Sequence, residues 1–225
     1  MIVPESIFPE FNYNSFDVTS AASTALGFNA NANGFATINP GSMTLIKTLT
    51  ASSSANLQFV HGSSDVVLDN TYPVYMFKYI SMHPAVDGDI FEINFSTDAG
   101  SNYNVTKTTS SFIARHGEDD SPASVAYLAS NDLSQSTSGQ PLTDNVGADA
   151  DQSISGSLML FNPSSTTFVK HFTARTSIAR HTNEMNDNFV AGYGNTTSAI
   201  DGVRFKFQGG NTDSGTIKLY GVKDS

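Results

Sequence analysis

The densest polar cluster in the chain is His116-Gly117-Glu118-Asp119-Asp120. Neighbouring carboxylates beside an imidazole suggest a cation site, because calcium takes several hard oxygen ligands from one loop. The spacing lacks the alternation Asp-x-Asp-x-Asp-Gly, and a solvated acidic loop accounts for the cluster with fewer assumptions. Asp87-Gly88-Asp89 reads as a turn between two strands. The five histidines are His61, His83, His116, His171 and His181, and no two stand four apart, so no helical zinc motif is present. His171 and His181 bracket an expected hairpin, which would bring them close in space. The chain contains no Gly-x-Ser-x-Gly elbow and no glycine-rich loop ahead of a helix. A glycosidase needs two carboxylates facing one sugar, and the glutamates Glu5, Glu10, Glu92, Glu118 and Glu184 suggest no such pair. The expectation is a protein that is not an enzyme, with no catalytic residue, no metal ligand and no cofactor.

Aromatic rings are the remaining chemistry. Sugar-binding sandwiches stack their ligands on exposed Trp or Tyr. This chain has no Trp, and Tyr72, Tyr103, Tyr127 and Tyr193 fall in or beside expected loops. These four are the candidate glycan contacts. Packing at a strand edge with a wet hydroxyl is the plainer account of each.

The charge balance narrows the partners. The net charge is −10, and Lys47, Lys78, Lys107, Lys170, Lys206, Lys218 and Lys223 are scattered. Nucleic-acid binding draws most of its affinity from basic residues meeting phosphates, so no nucleic-acid partner is expected. Anionic membrane surfaces are disfavoured for the same reason. No stretch is apolar and long enough to span a bilayer. There is no cysteine, hence no disulfide framework and no thiolate chemistry. Met1-Ile2-Val3-Pro4-Glu5-Ser6 does not read as a signal peptide. Without one, the glycosylation patterns at Asn104 and Asn195 are read as chance.

The elements that would position these side chains are strands. Leu45–Thr50 is the first. Leu57 and Phe59 alternate with polar neighbours. Val74–Ile80 is apolar on both faces and is placed centrally. Phe91, Ile93 and Phe95 alternate toward a core. Asp98–Asn102 is a turn, with Tyr103–Thr109 returning from it and Ser111–Arg115 continuing the pattern. Ser121-Pro122 fits the start of a short helix over Ala123–Ala129, and a strand over Val125–Leu128 fits nearly as well. Leu158–Phe161 runs into the Asn162-Pro163 turn, and Phe168–Ala174 pairs back across it. Phe189–Tyr193 follows. Val203, Phe205 and Phe207 face inward, and so do Ile217 and Leu219 in a final hairpin. Roughly ten strands at these spacings predict an all-β, jelly-roll-like antiparallel β-sandwich over residues 41–225. Residues 1–40 carry aromatics without a sustained period. They are expected to form an irregular N-terminal arm or attachment segment, with an ordinary first hairpin of the same domain as the alternative. The region 116–151 is loop-rich and acidic, a natural place for a variable or binding surface.

Several stretches together carry a resemblance. They are Tyr72-Pro73-Val74-Tyr75-Met76-Phe77 with Ile80-Ser81-Met82-His83-Pro84-Ala85; Phe95 to Tyr103; Phe161-Asn162-Pro163-Ser164-Ser165; Asn188 to Tyr193; and Ser214-Gly215-Thr216-Ile217-Lys218-Leu219-Tyr220-Gly221. In these the chain resembles virion structural proteins of marine tailed bacteriophages. The resemblance implies a β-sandwich present in repeated copies on the virion after assembly in the host cytoplasm. The implied role is a tail fibre or appendage that contacts the host surface, with a capsid decoration or head-fibre protein as the alternative. The partners it implies are the chain itself, as a homotrimer, and other virion proteins, with host surface glycan a further candidate. The type has no assigned active residues, so none is carried over. A carbohydrate-binding module is the rival class, and a depolymerase ranks last because the chain lacks a long repetitive β-helix.

Overall fold

A computed structural model describes residues 25–28, 35–38 and 42–223. The chain divides into two compact units, Met1–Pro40 and Gly41–Ser225. In the first, β1 (Ala25–Phe28) and β2 (Phe35–Ile38) pair antiparallel. The rest of the expected arm lies outside the described residues.

The second unit is an antiparallel β-sandwich, as the sequence predicts. Its strands are β3 (Met43–Thr50), β4 (Leu57–Val60), β5 (Val74–Pro84), β6 (Phe91–Ser96), β7 (Lys107–Gly117) and β8 (Ala123–Tyr127). They continue with β9 (Gln140–Pro141), β10 (Ile154–Phe161), β11 (Lys170–Arg180), β12 (Glu184–Gly194), β13 (Gly202–Phe207) and β14 (Thr212–Val222). Eight form one sheet in the order β3-β14-β5-β10-β11-β12-β7-β8, and four form the other in the order β4-β13-β6-β9.

Side-chain alternation brings the two sheets together. Tyr75, Phe77 and Tyr79 of β5 point inward with no exposed surface, as do Phe91, Ile93 and Phe95 of β6 and Phe205 of β13. Phe59 meets Phe77 edge-on at 5.3 Å between ring centres, and Phe91 stacks on Phe205 at 5.8 Å. Large aromatic rings dominate the energetics of such a core. The hydroxyl of Tyr79, fully buried, shares a 2.6 Å hydrogen bond with Thr176.

Several sequence expectations are corrected. The chain does not end in a hairpin: β13 belongs to the four-stranded sheet and β14 to the eight-stranded one. The intervening turn therefore crosses the sandwich, and alternation alone cannot distinguish a crossover from a return. Tyr103–Thr106 is not strand, and β7 pairs with β12 and β8 instead of returning against β6. Ala123–Tyr127 is a strand, not a helix, paired along β7, and only Ala129–Asn131 makes a 3-10 turn. Pairing outweighs a helix-start signal when a strand edge stands open. The second unit contains twelve described strands where roughly ten were expected.

The terminal motif has a steric explanation. Gly215 adopts φ +120° where the pairing of β14 with β5 slips, and a Cβ there would lie 2.7 Å from the Met82 Cα. A Cβ on Gly221 would lie 2.3 Å from the Tyr72 ring. Both positions need glycine because another group occupies the space a side chain would take.

Candidate functional site

Cross-strand register builds a row of side chains on the outer face of the eight-stranded sheet. Tyr127 pairs with Phe112, Phe112 with Phe189, Phe189 with Arg175, Arg175 with Ser157, and Ser157 with Lys78. Phe112 and Phe189 stack nearly parallel, 4.7 Å apart at 5°. The Arg175 guanidinium lies 4.9 Å from the centre of the Phe189 ring. It is held there by a fork onto Asp187, Nη2 to Oδ2 at 2.6 Å and Nε to Oδ1 at 3.0 Å. That bond raises the Arg175 pKa above its ordinary value. The planar fork fixes the cation over the ring. Beside it lies an apolar groove of about 300 Å³ lined by Phe112, Met159, Thr173, Phe189 and Ala191.

This face leaves apolar surface in water. Val125 is 74% exposed, Tyr127 64% and Phe112 45%. A patch of adjacent large apolar groups on one flat sheet is the kind of surface that marks an interaction site.

At one end of the sandwich a polar groove of about 690 Å³ is lined by His116, Glu118, Asp149, Asp151, Arg180 and Glu184, among others. Arg180 is held within the fold: Nη1 donates to Glu184 at 3.1 Å and Thr182 at 2.6 Å, and Nε lies 3.3 Å from Asp144. The acidic loop bonds to itself, His116 to Asp120 at 3.0 Å and the Ser121 N–H to Asp119 at 3.0 Å. Among the described residues no three His, Cys, Asp or Glu side chains form a group that could hold a metal ion. His171 and His181 do not approach each other. His171 lies near the start of the long strand β11 and His181 just past its end, separated by about 30 Å at the usual rise.

The four candidate tyrosines are not gathered into one site. Tyr72 is buried, its ring edge-on to Tyr75 and beneath the Lys223 ammonium at 5.4 Å. Tyr103 is half-buried over the four-stranded sheet, with Arg204 at 4.6 Å from its ring and its hydroxyl donating to Gln58. Burial raises its pKa. Tyr193 is half-buried beside His171. Tyr127 is the one with a largely exposed ring, and its hydroxyl donates to the Asp132 carboxylate, which raises its pKa. Tyr127 and Tyr193 share the outer face of the eight-stranded sheet; Tyr72 and Tyr103 lie elsewhere.

Sequence reasoning missed Phe112, Phe189 and Arg175 as a unit. The available signal was Val125 and Tyr127 alternating on one side of β8, but the partners come from strands over 60 residues apart, and only the register reveals them.

No known protein family and no curated protein matches the chain. Among solved structures, the infectious bursal disease virus VP2 subviral particle aligns at 12% identity over 88% of this chain, with a TM-score of 0.13. The chain spans 46% of that protein's length. A likeness at that score carries no inference.

Proposed function

We propose that the chain is a non-enzymatic virion structural protein of a tailed bacteriophage whose copies pack through the outer face of the eight-stranded sheet. The observation that carries the assembly role is the stacked and exposed row Tyr127, Phe112 and Phe189 with its adjoining groove. The resemblance in the five stretches above supports the virion context. A tail fibre or appendage, as a homotrimer, is the leading placement, and capsid decoration is its alternative. Exposed apolar surface of this kind is stabilised by burial against another copy, at roughly 25 cal/mol per Å² removed from water.

The exposed Tyr127 ring beside Phe112 also favours a second reading, a glycan platform on a receptor-binding part. Cryo-electron microscopy of purified particles tests both readings. Copies meeting through Phe112 and Phe189 support the assembly role, at the tail or over the capsid. The protein absent from the particle overturns it. A tail location with this face open, and glycan binding lost in Tyr127→Ala, favours the second reading.

A further inference from the structure

Lys107 is a fully buried lysine that makes no ion pair among the described residues. Its Nζ donates to Asn94 Oδ1 at 2.6 Å and to the Val105 carbonyl oxygen at 2.8 Å. Two acceptors match the two N–H bonds of a neutral amine and leave its lone pair unused. Burial pushes the Lys107 amine down to about 8, while the charge of Glu92 acts to raise it. Of order a tenth of such an amine is therefore neutral at pH 7, and a desolvated neutral amine is a nucleophile.

Its partner is an electrophile held in place. Asn94 is buried, and its Nδ2 donates to the Thr137 carbonyl oxygen at 2.9 Å. Its Oδ1 accepts a second bond, from the Phe95 N–H at 2.9 Å. A fixed backbone donor at that oxygen, with water excluded, stabilises the negative charge that develops when the carbonyl carbon is attacked. Glu92 lies two residues earlier on the same face of β6. It is also buried, its Oε2 accepting from Gln208 Nε2 at 2.9 Å and its Oε1 3.6 Å from Lys206 Nζ.

We propose that Lys107 and Asn94 join in an intramolecular isopeptide bond, formed by the folded chain itself, with Glu92 carrying the proton. A rotation about the Lys107 Cε–Nζ bond turns the lone pair onto Asn94 Cγ, one bond from the oxygen it already touches. The Nζ–Cγ bond forms and the carbonyl becomes an oxyanion facing the Phe95 N–H. Glu92 takes a proton from Nζ and delivers it to Nδ2. The oxyanion collapses, the Cγ–Nδ2 bond breaks with its electron pair, and ammonia leaves. Nothing is oxidised or reduced, and no co-reactant is needed. The product is an amide tying β6 of the four-stranded sheet to β7 of the eight-stranded one. Lys170 is an internal contrast. Like Lys107 it exposes no surface, but its Nζ sits in a more open, part-buried setting and meets only the backbone carbonyls of Phe168 and Thr196, so it stays a free amine.

The test is the intact mass of the purified, folded protein, incubated at pH 8 until the mass is constant. The expected mass is that of the sequence less one ammonia, with tandem spectra of a proteolytic digest showing a branched peptide that joins Lys107 to Asn94. Lys107→Arg and Asn94→Ala keep the full sequence mass, whereas Lys170→Arg still loses ammonia. The wild-type chain at its full sequence mass overturns the proposal, whatever the variants do. So does ammonia lost within a linear peptide at Asn94. Glu92→Gln, folded by circular dichroism, keeps the full mass. Bond formation in that variant at the wild-type rate overturns the role given to Glu92.

Discussion

The inner face of the eight-stranded sheet has two halves built on different principles. Over β14, β5 and β10 it is dry and aromatic: Tyr75, Phe77, Leu158, Leu160, Ile217 and Leu219 face Phe59, Phe91 and Phe205 of the opposing sheet. Over β12 and β7 it is largely polar: Asn186, Asn188, Ser111 and Lys107 are all at 0% exposure, with Ile113 and Val190 buried among them. The difference follows from what meets each half. A sheet satisfies its own backbone in its ladders and can offer purely apolar side chains. An irregular segment brings backbone groups that need side-chain partners. Residues 131–147 are such a segment, and they bond to β7 and β11. Gln140 Nε2 donates to the Asn131 carbonyl oxygen at 2.9 Å, and Asn131 Nδ2 to that of Thr143 at 3.2 Å. The outer faces differ in charge. The polar half carries Phe112, Phe189 and Tyr127 outside, while the aromatic half carries Lys78 and Lys218 side by side, with Leu45 and Ile80 also exposed. Apolar surface on the outside of the polar half therefore serves no core of its own, which favours its use between molecules.

The largest effect should come from the aromatic half. Phe205 touches the rings of Phe59, Phe77, Tyr79 and Phe91. Phe205→Ala should cost about 3–5 kcal/mol in a denaturant titration. A cost under about 1 kcal/mol would mean that the four-stranded sheet repacks freely, and the two halves would not differ as described.

The next effect is electrostatic and belongs to the polar half. The Lys107 pKa is lowered in the folded state to about 8 from 10.5. Between those values the unfolded chain binds more protons, so stability rises with pH across that window and is penalised fully below it. The gain has an upper bound of roughly 3 kcal/mol. Above pH 10 the buried Tyr75 and Tyr79, whose pKa values burial raises, work in the opposite direction. The clean window is therefore pH 8 to 10. The rise should appear in Glu92→Gln, where the amine stays free, and vanish in Lys107→Met. An isopeptide-linked wild type should also lack it, because an amide nitrogen does not titrate. A full rise in the wild type would mean a free amine.

The halves also differ in how legible they are. Phe91, Ile93 and Phe95, or Val203, Phe205 and Phe207, announce their inward face by strict alternation, and the structure buries each of them. Period-2 patterning is a local property, so one strand suffices to read it. The polar half offers no such pattern. Asn186 and Asn188 alternate with Asp187 and Phe189, so the strand reads as though the phenylalanine faced the core, when it faces outward. Lys107 and Asn94 are 13 residues apart, and no spacing rule links them. The final crossover reads as a hairpin because Gly209 to Ser214 carries ordinary turn residues, and sheet membership is decided by long-range pairing. The outer aromatic row was invisible for the same reason.

Asn188 provides a smaller test of the polar half. Its Oδ1 and Nδ2, like those of Asn186, are buried without a protein partner. Unpartnered buried amides cost about 1–3 kcal/mol each. Asn188→Leu, of similar size, should leave stability unchanged or raise it by about 1 kcal/mol. A loss approaching that of Phe205→Ala would show instead that ordered water completes the amide's bonds, and that the polar half is as tightly specified as the aromatic one.

The smallest expected change in stability comes from the outer row, and it separates assembly from folding. Phe112 stacks on Phe189 at the surface and is 45% exposed. Phe112→Glu should lower the unfolding free energy little, by about 0.5 kcal/mol, the low end for loss of a stacked aromatic pair at a half-exposed site. If copies meet through this face, the same substitution buries a charge in the interface, which is costly without a partner. Sedimentation should then show the wild type associated and the variant as single chains. An association that survives Phe112→Glu would place the contact elsewhere, and the aromatic row would be left to a ligand. Unfolding of the variant would mean that Phe112 supports its own sheet, and the contrast between a polar inside and an apolar outside would lose its bearing on assembly.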